Sequence, residues 1–120
     1  LDISNAVAFS SVATSHNVEA KYILTSSISG DTARLVSKYR PKCPIIGLSP
    51  IDRTLRKMQI YWGVIPMRTK HVAHTDEILN LAVETVKDAK LVEKGDVVVM
   101  TAGSVFGEHA ITSMMKVFII

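Results

Sequence analysis

Hydroxyl side chains and a glycine crowd the stretch Thr25-Ser26-Ser27-Ile28-Ser29-Gly30-Asp31-Thr32-Ala33-Arg34. It follows the apolar run Tyr22-Ile23-Leu24 and opens a helical pattern that lasts to Arg40-Pro41. A strand-to-helix turn of this kind presents unpaired backbone N–H groups at the positive end of a helix, where an anion is stabilised. Ser27, Ser29 and Thr32 can each donate to phosphate oxygens, and Gly30 lets the backbone approach closely. The other reading of the same residues is a helix cap followed by a solvated loop, and both stay open at this point. The spacing is not that of a Walker loop, which needs Gly-x-x-x-x-Gly-Lys. Nor is it a nucleophile elbow, which needs Gly-x-Ser-x-Gly.

The remaining chemistry-bearing residues form no catalytic set. His16, His71, His74 and His109 show no metal-binding helical spacing such as His-Glu-x-x-His. His71 and His74 read as solvated loop residues, and His109 as a loop residue near the crevice described below. Cys43 is a lone cysteine before Pro44 and reads as a small buried residue rather than a reactive thiol, with no partner for an internal disulfide. Arg34 lies one helical turn beyond the hydroxyl-rich turn and is placed to help hold an anion or to remain solvated. Nothing here has the nucleophile, base and orienting group that covalent or acid–base catalysis requires.

The elements that must position the turn follow from hydrophobic periodicity. Ile3 to His16 reads as a helix whose small residues Ala6, Val7, Ser10, Ala13 and Thr14 form its packing face, with Asn17 as its left-handed C-terminal cap. Lys21–Ser26 is the first strand and Thr32–Tyr39 the second helix, stopped by Pro41. Pro44–Leu48 is the second strand. Ser49-Pro50-Ile51-Asp52 then reads as a capped helix start with Pro50 at the first helical position, the helix running to about Tyr61. Trp62 reads as a packing residue at that helix end. Val64–Arg68 is the third strand, and Pro66 within it marks an edge. Ile78, Leu81, Ala82, Thr85, Val86 and Ala89 form the buried stripe of the longest helix, which starts at Thr75. Val97–Met100 is the fourth strand, and Lys116–Ile120 an antiparallel fifth.

Strands that alternate with helices imply a mainly parallel sheet covered on both faces, a three-layer α/β/α sandwich. With strand three at an edge, right-handed crossovers give the order 3-2-1-4-5. The winding then reverses between strands one and four. Ligands in such sheets bind beyond the carboxyl ends of the strands at the reversal, so the Ser27–Thr32 turn and Thr101-Ala102-Gly103-Ser104 flank the expected crevice.

Composition bounds the function. At 120 residues the chain reads as one domain. A net charge of +3 with scattered basic residues gives no nucleic-acid footprint. No apolar run approaches the roughly 20 residues of a membrane span, and no secretory signal opens the chain. A cytoplasmic setting fits the single cysteine. The start at Leu1 reads as that of a fragment or a processed chain.

Taken together, Ser27-Ile28-Ser29-Gly30-Asp31-Thr32-Ala33-Arg34-Leu35-Val36-Ser37-Lys38-Tyr39-Arg40-Pro41 resembles the Thr-x-Ser-Gly-x-Thr-Ala…Ser-x-Tyr-Arg-Pro signature of the pyruvate kinase C-terminal domain. Asp2–Ala6, Pro44–Ile46, Trp62–Pro66, Lys94–Val99 and Met115–Val117 are similar to it in the same order. The resemblance covers the whole chain, residues 1–120. It implies the α/β/α sandwich derived above, an allosteric site for a phosphorylated effector, and a subunit interface of a tetrameric cytoplasmic glycolytic enzyme. The effector phosphate would be cradled by Ser27, Ser29, Gly30 and Thr32. The last strand and the small-residue first helix would form subunit contacts. The catalytic barrel, which transfers a phosphoryl group from phosphoenolpyruvate to ADP with magnesium and potassium, would lie N-terminal to this domain. This chain alone would then hold no active site and no cofactor. The alternative is a structural or interaction module of the same fold that binds no effector.

Three departures from the family pattern bear on the effector. His109-Ala110-Ile111-Thr112-Ser113 stands where the family often has Ser-Gly-Thr-Thr-Asn. Ile78 stands where members activated by fructose bisphosphate have an arginine, and Asp31 where some members have a basic residue. These changes weigh against fructose 1,6-bisphosphate and leave a sugar monophosphate, a nucleotide monophosphate or no effector.

Overall fold

The computed structural model describes residues 2–70, 75–103 and 112–120. His71, His74, Ser104 and His109 lie outside the described residues. The elements run α1 (Ile3–Asn17), β1 (Tyr22–Ser26), α2 (Asp31–Lys38), β2 (Ile45–Ser49), α3 (Asp52–Met58), β3 (Val64–Arg68), α4 (Thr75–Asp88), β4 (Val97–Gly103) and β5 (Thr112–Ile119). The sheet order is β3-β2-β1-β4-β5, with β5 antiparallel to β4 and every other pairing parallel. This is the architecture expected from the alternation of elements, with Pro66 on an edge strand.

Alternation along the strands divides the core. Leu24, Ile46, Leu48, Val98, Met100 and Ala102 point to one face, where Ile78, Leu79, Ala82 and Val86 of α4 cover them. Ile23, Ile45 and Val99 point to the other, against Ala8 and Val12 of α1 and Leu35 and Val36 of α2. Both faces of the central strands are dry, which is why these strands read as continuous apolar runs. Met58 of α3 packs on this second face, near Gly47 and Val64. Three helices thus cover one face and α4 the other, so the winding reverses between β1 and β4.

Several local expectations are corrected. The buried face of α1 is Ala8, Ser11, Val12 and Ser15, while Ala6 and Ser10 are exposed. Ser11 and Ser15 reach that face because their hydroxyls donate back to the Val7 and Val12 carbonyls and leave no polar group unpaired. Asn17 remains helical, and the left-handed residue is Glu19, at φ 52°. Ser49 does not cap α3. Its hydroxyl accepts from the Ile51 N–H at 3.2 Å, which closes a short turn, and the helix begins at Asp52. That helix stops at Met58, short of Tyr61. Trp62 is 48% exposed, with the Arg40 guanidinium 4.6 Å above its ring. In α4, Ile78, Leu79, Ala82 and Val86 are the buried residues and Ala89 is exposed. β5 starts four residues earlier than expected, at Thr112, because Thr112–Met115 extend the ladder along β4 as far as Gly103.

Candidate functional site

β1 delivers the hydroxyl-rich turn to the reversal point. Ile23, Leu24 and Thr25 are buried, and Ser26 sits level with Leu48 of β2 and Ala102 of β4. One further rung, Ser27 N–H to the Leu48 carbonyl at 3.2 Å, carries the parallel pairing just past the strand end. The chain then turns through Ile28 and Ser29 to Gly30, which caps α2 in the left-handed conformation at φ 83°. A side chain there would be strained in its backbone.

The serines fold back on the helix start. Ser27 Oγ accepts from the Gly30 N–H at 2.9 Å, and Ser29 Oγ from the Asp31 N–H at 3.3 Å. The two hydroxyl oxygens lie 3.3 Å apart. They occupy acceptor positions that the oxygens of an anion would take at a helix N-terminus. Asp31 is exposed in the first turn of α2, and its carboxylate lies 3.7 Å from Arg34 Nε. Arg34 is thus directed towards Asp31 and does not stand free over the turn.

The sequence-derived set is thus brought together in part. Ser27, Ser29 and Gly30 form the turn. Thr32 is the exception, being 3% exposed with Oγ1 2.8 Å from Thr112 Oγ1. Its hydroxyl faces the interior and β5. Ile78 is 7% exposed and packs in the α4 core, so that position serves packing.

Sequence reasoning missed the wall of the site, which is α3. The Thr54 hydroxyl donates to the Ile28 carbonyl, and Lys57 Nζ donates to the Ser29 carbonyl at 3.4 Å. Met58 closes the space under Gly30. Thr54, Lys57 and Met58 are spaced by three and four residues on one helix face. That spacing was the available signal, but nothing in it says which turn the face meets.

Elsewhere, burial pushes the half-buried Cys43 thiol up from its ordinary value, which suits a packing residue rather than a nucleophile. Among the described residues no group of three or more His, Cys, Asp or Glu side chains could hold a metal ion. No helix among them is long and apolar enough to cross a membrane.

A sheet wound both ways from β1, with a polar turn at the carboxyl end of that strand, defines a doubly wound α/β domain. Its family follows from comparison with known proteins. The family model described as the pyruvate kinase alpha/beta domain matches residues 5–118. The chain is 40% identical over 118 residues to pyruvate kinase of Geobacillus stearothermophilus, covering 98% of this chain and 20% of that protein. It is also 40% identical over 116 residues to pyruvate kinase of Staphylococcus aureus, covering 97% of this chain and 20% of that protein. A structure of Cryptosporidium parvum pyruvate kinase in complex with ADP is similar with a TM-score of 0.84 at 30% identity, over 99% of this chain and 24% of that one. The chain belongs to the pyruvate kinase family, as its alpha/beta domain. It spans about one fifth of the length of the curated relatives it matches.

Proposed function

We propose that this chain is the regulatory and oligomerisation domain of a pyruvate kinase and that it binds a phosphorylated small molecule at the Ser27–Gly30 turn. One observation carries the reading. Ser27 Oγ and Ser29 Oγ hold the acceptor positions on the Gly30 and Asp31 N–H groups, at 2.9 and 3.3 Å, where the winding of the sheet reverses. Phosphate oxygens replace them there, and the freed serine hydroxyls turn to donate to the phosphate. Thr54 and Lys57 hold the carbonyl side of the turn, so its N–H side keeps facing outward. Thr32 supports the turn from behind.

On this reading, phosphoryl transfer from phosphoenolpyruvate to ADP belongs to another part of a longer cytoplasmic protein, and so do magnesium and potassium. The assembly surface is the face shared by α1 and β5. It exposes Ile3 on the helix and Met115, Val117 and Ile119 on the strand. An apolar edge strand pairs readily with a second copy.

A second reading, a structural module that binds no effector, draws on the same turn. Its serines already satisfy the helix start, and the Asp31 carboxylate beside them opposes an incoming anion. Thermal unfolding with millimolar inorganic phosphate, AMP or a sugar monophosphate decides between the two. Binding raises the midpoint with ligand concentration, and the rise disappears in Ser29→Ala and Gly30→Val. No rise with any of the three leaves the second reading standing.

A further inference from the structure

At the amino ends of β1 and β2, across the sheet from the Ser27–Gly30 turn, one side chain bridges two segments. His16 lies in the last turn of α1, and its Nε2 accepts from the Lys42 backbone N–H at 3.1 Å. Lys42 belongs to the connection between α2 and β2. An imidazole that accepts through Nε2 carries its proton on Nδ1 and is neutral. Ser15, His16, Glu19, Ala20, Lys42 and Cys43 line a cavity of about 230 Å³ at this junction. The half-buried Cys43 thiol lies beside the Ser15 hydroxyl. The end of α1 is fixed by its own backbone, because the Glu19 and Ala20 N–H groups donate to the His16 and Ser15 carbonyls at 3.3 and 2.9 Å. In the facing connection Arg40 holds φ 50°, a left-handed conformation that is costly for a residue with a side chain. The connection is therefore the side that yields when the bridge breaks.

We infer that His16 is a pH-sensitive latch that holds the α2–β2 connection against α1 and closes the cavity over Cys43. Both His16 and Lys42 are exposed, so protons reach the imidazole freely. Protonation fills Nε2, and the imidazolium has no acceptor left for the Lys42 N–H. Two N–H groups then face each other, and the charge of Lys42 opposes the imidazolium as well. The end of α1 retains the imidazolium, since its carbonyls form the negative pole of the helix and Glu19 supplies a carboxylate at the cavity. The other charges nearby are engaged elsewhere. Lys21 pairs with Asp96 at 3.1 Å, and the Arg40 guanidinium lies over the Trp62 ring. The connection therefore parts from α1 as pH falls through the range in which histidines titrate, and the cavity opens towards Cys43. The latch stands at the far end of the sheet from the Ser27–Gly30 turn and does not depend on what that turn binds.

Two rates measured on the full-length protein test the latch. Each is taken as a ratio to His16→Gln at the same pH, so that the intrinsic pH dependence of amide exchange and of thiolate chemistry cancels. The glutamine keeps an acceptor near the Nε2 position and does not titrate. Hydrogen exchange of residues 40–43, read by mass spectrometry, follows the latch. Modification of Cys43 by methyl methanethiosulfonate, mapped on its peptide, follows the cavity. At about pH 8 wild type and His16→Gln behave alike in both. At about pH 5 wild type exchanges and is modified about fivefold faster, the factor expected from the loss of one hydrogen bond. His16→Ala has no acceptor and is faster than His16→Gln by a similar factor at both pH values. His16 is exposed, so neither substitution disturbs packing. The inference is overturned if the ratio of wild-type to His16→Gln exchange is the same at both pH values, or if His16→Ala exchanges no faster than His16→Gln. Exchange that changes with pH while Cys43 modification does not overturns it too.

Discussion

A β-carbon added to Gly47 would stand 2.6 Å from the Met58 sulfur, so Met58 fills the place where a side chain on β2 would begin. The same methionine places its Cγ 3.2 Å from where a β-carbon on Gly30 would stand. Met58 thus fills the gap between the sheet and the candidate phosphate turn, and it is only 1% exposed. Truncating it to alanine removes most of that wedge. Met58→Ala is expected to cost about 2–5 kcal/mol of stability, as buried large-to-small changes do. Urea denaturation checks this. A loss under about 1 kcal/mol would mean that α3 collapses onto Gly47 and that the wedge is dispensable.

Gly30 meets two constraints at once. Its φ of 83° lies in the left-handed region, and a β-carbon would stand 3.2 Å from both Met58 Cγ and Thr54 Cγ2. The backbone term alone is worth roughly 1–2 kcal/mol. Gly30→Ala is therefore expected to lower stability by at least that much and to weaken the Thr54 bond to the Ile28 carbonyl. Denaturation curves measure the first effect. A change in the Ile28 carbonyl carbon shift, seen by NMR, measures the second. An unchanged midpoint would show that the turn relaxes to another conformation at no cost.

Lys90 follows α4 with φ 59°, a conformation in which glycine has no steric penalty. The chain reversal around it is well bonded, with the Leu91 N–H donating to the Val86 carbonyl at 3.0 Å. Lys90 is exposed, so replacing it disturbs no packing. Lys90→Gly relieves the left-handed strain but adds freedom to the unfolded chain. The balance is expected to favour the variant by roughly 0.5–1 kcal/mol. A rise of a few degrees in melting temperature is the matching observation, and a fall would mean that the lysine's interaction with the helix end outweighs the strain.

The fold was legible because its central strands carry one message. Ile23-Leu24, Ile45-Ile46 and Val97–Met100 are apolar on both faces, and Pro66 marks an edge. Together with right-handed crossovers these features leave few orders to choose from. The face of α1 was not legible, since Ala6 and Ser10 differ little in polarity from Ala8 and Ser11, and back-bonded serines bury as readily as alanines. The first half of β5 escaped because Thr112 and Ser113 join by main-chain pairing, which leaves no mark on side-chain type. In the candidate site, Ser27, Ser29 and Gly30 stood out because their contacts with one another and with the helix start are local. The contact of Thr32 with Thr112 was not legible because the two are 80 residues apart. Thr54 and Lys57 were hidden for the same reason.

Asp96 joins the opposite end of the sheet and gives the protein a defined response to pH. Its Oδ2 accepts from the Glu93 N–H at 2.7 Å and from Lys21 Nζ at 3.1 Å. Its backbone carbonyl accepts from the Ile120 N–H at 2.8 Å, so the same residue anchors the chain end beside β5. The bond from Glu93, then that from Lys21, holds the carboxyl below its ordinary value of 3.8. A carboxylate that is more acidic when folded adds stability above its unfolded pKa, and that stability is lost as pH falls through the folded value. Lys21 is shifted the other way, above 10.5, first by its bond to Asp96. Its contribution is full below 10.5 and disappears as pH rises through its folded value. The pair therefore stabilises across the range between the two. Asp96→Asn is expected to lower the melting temperature at neutral pH, and the gap from wild type should close as the solution is acidified well below 3.8. The gap should also narrow with salt, because both groups are solvent-accessible. A gap that stays constant from neutral to strongly acidic pH would assign the loss to the turn geometry at Glu93 alone and remove the charge from the account.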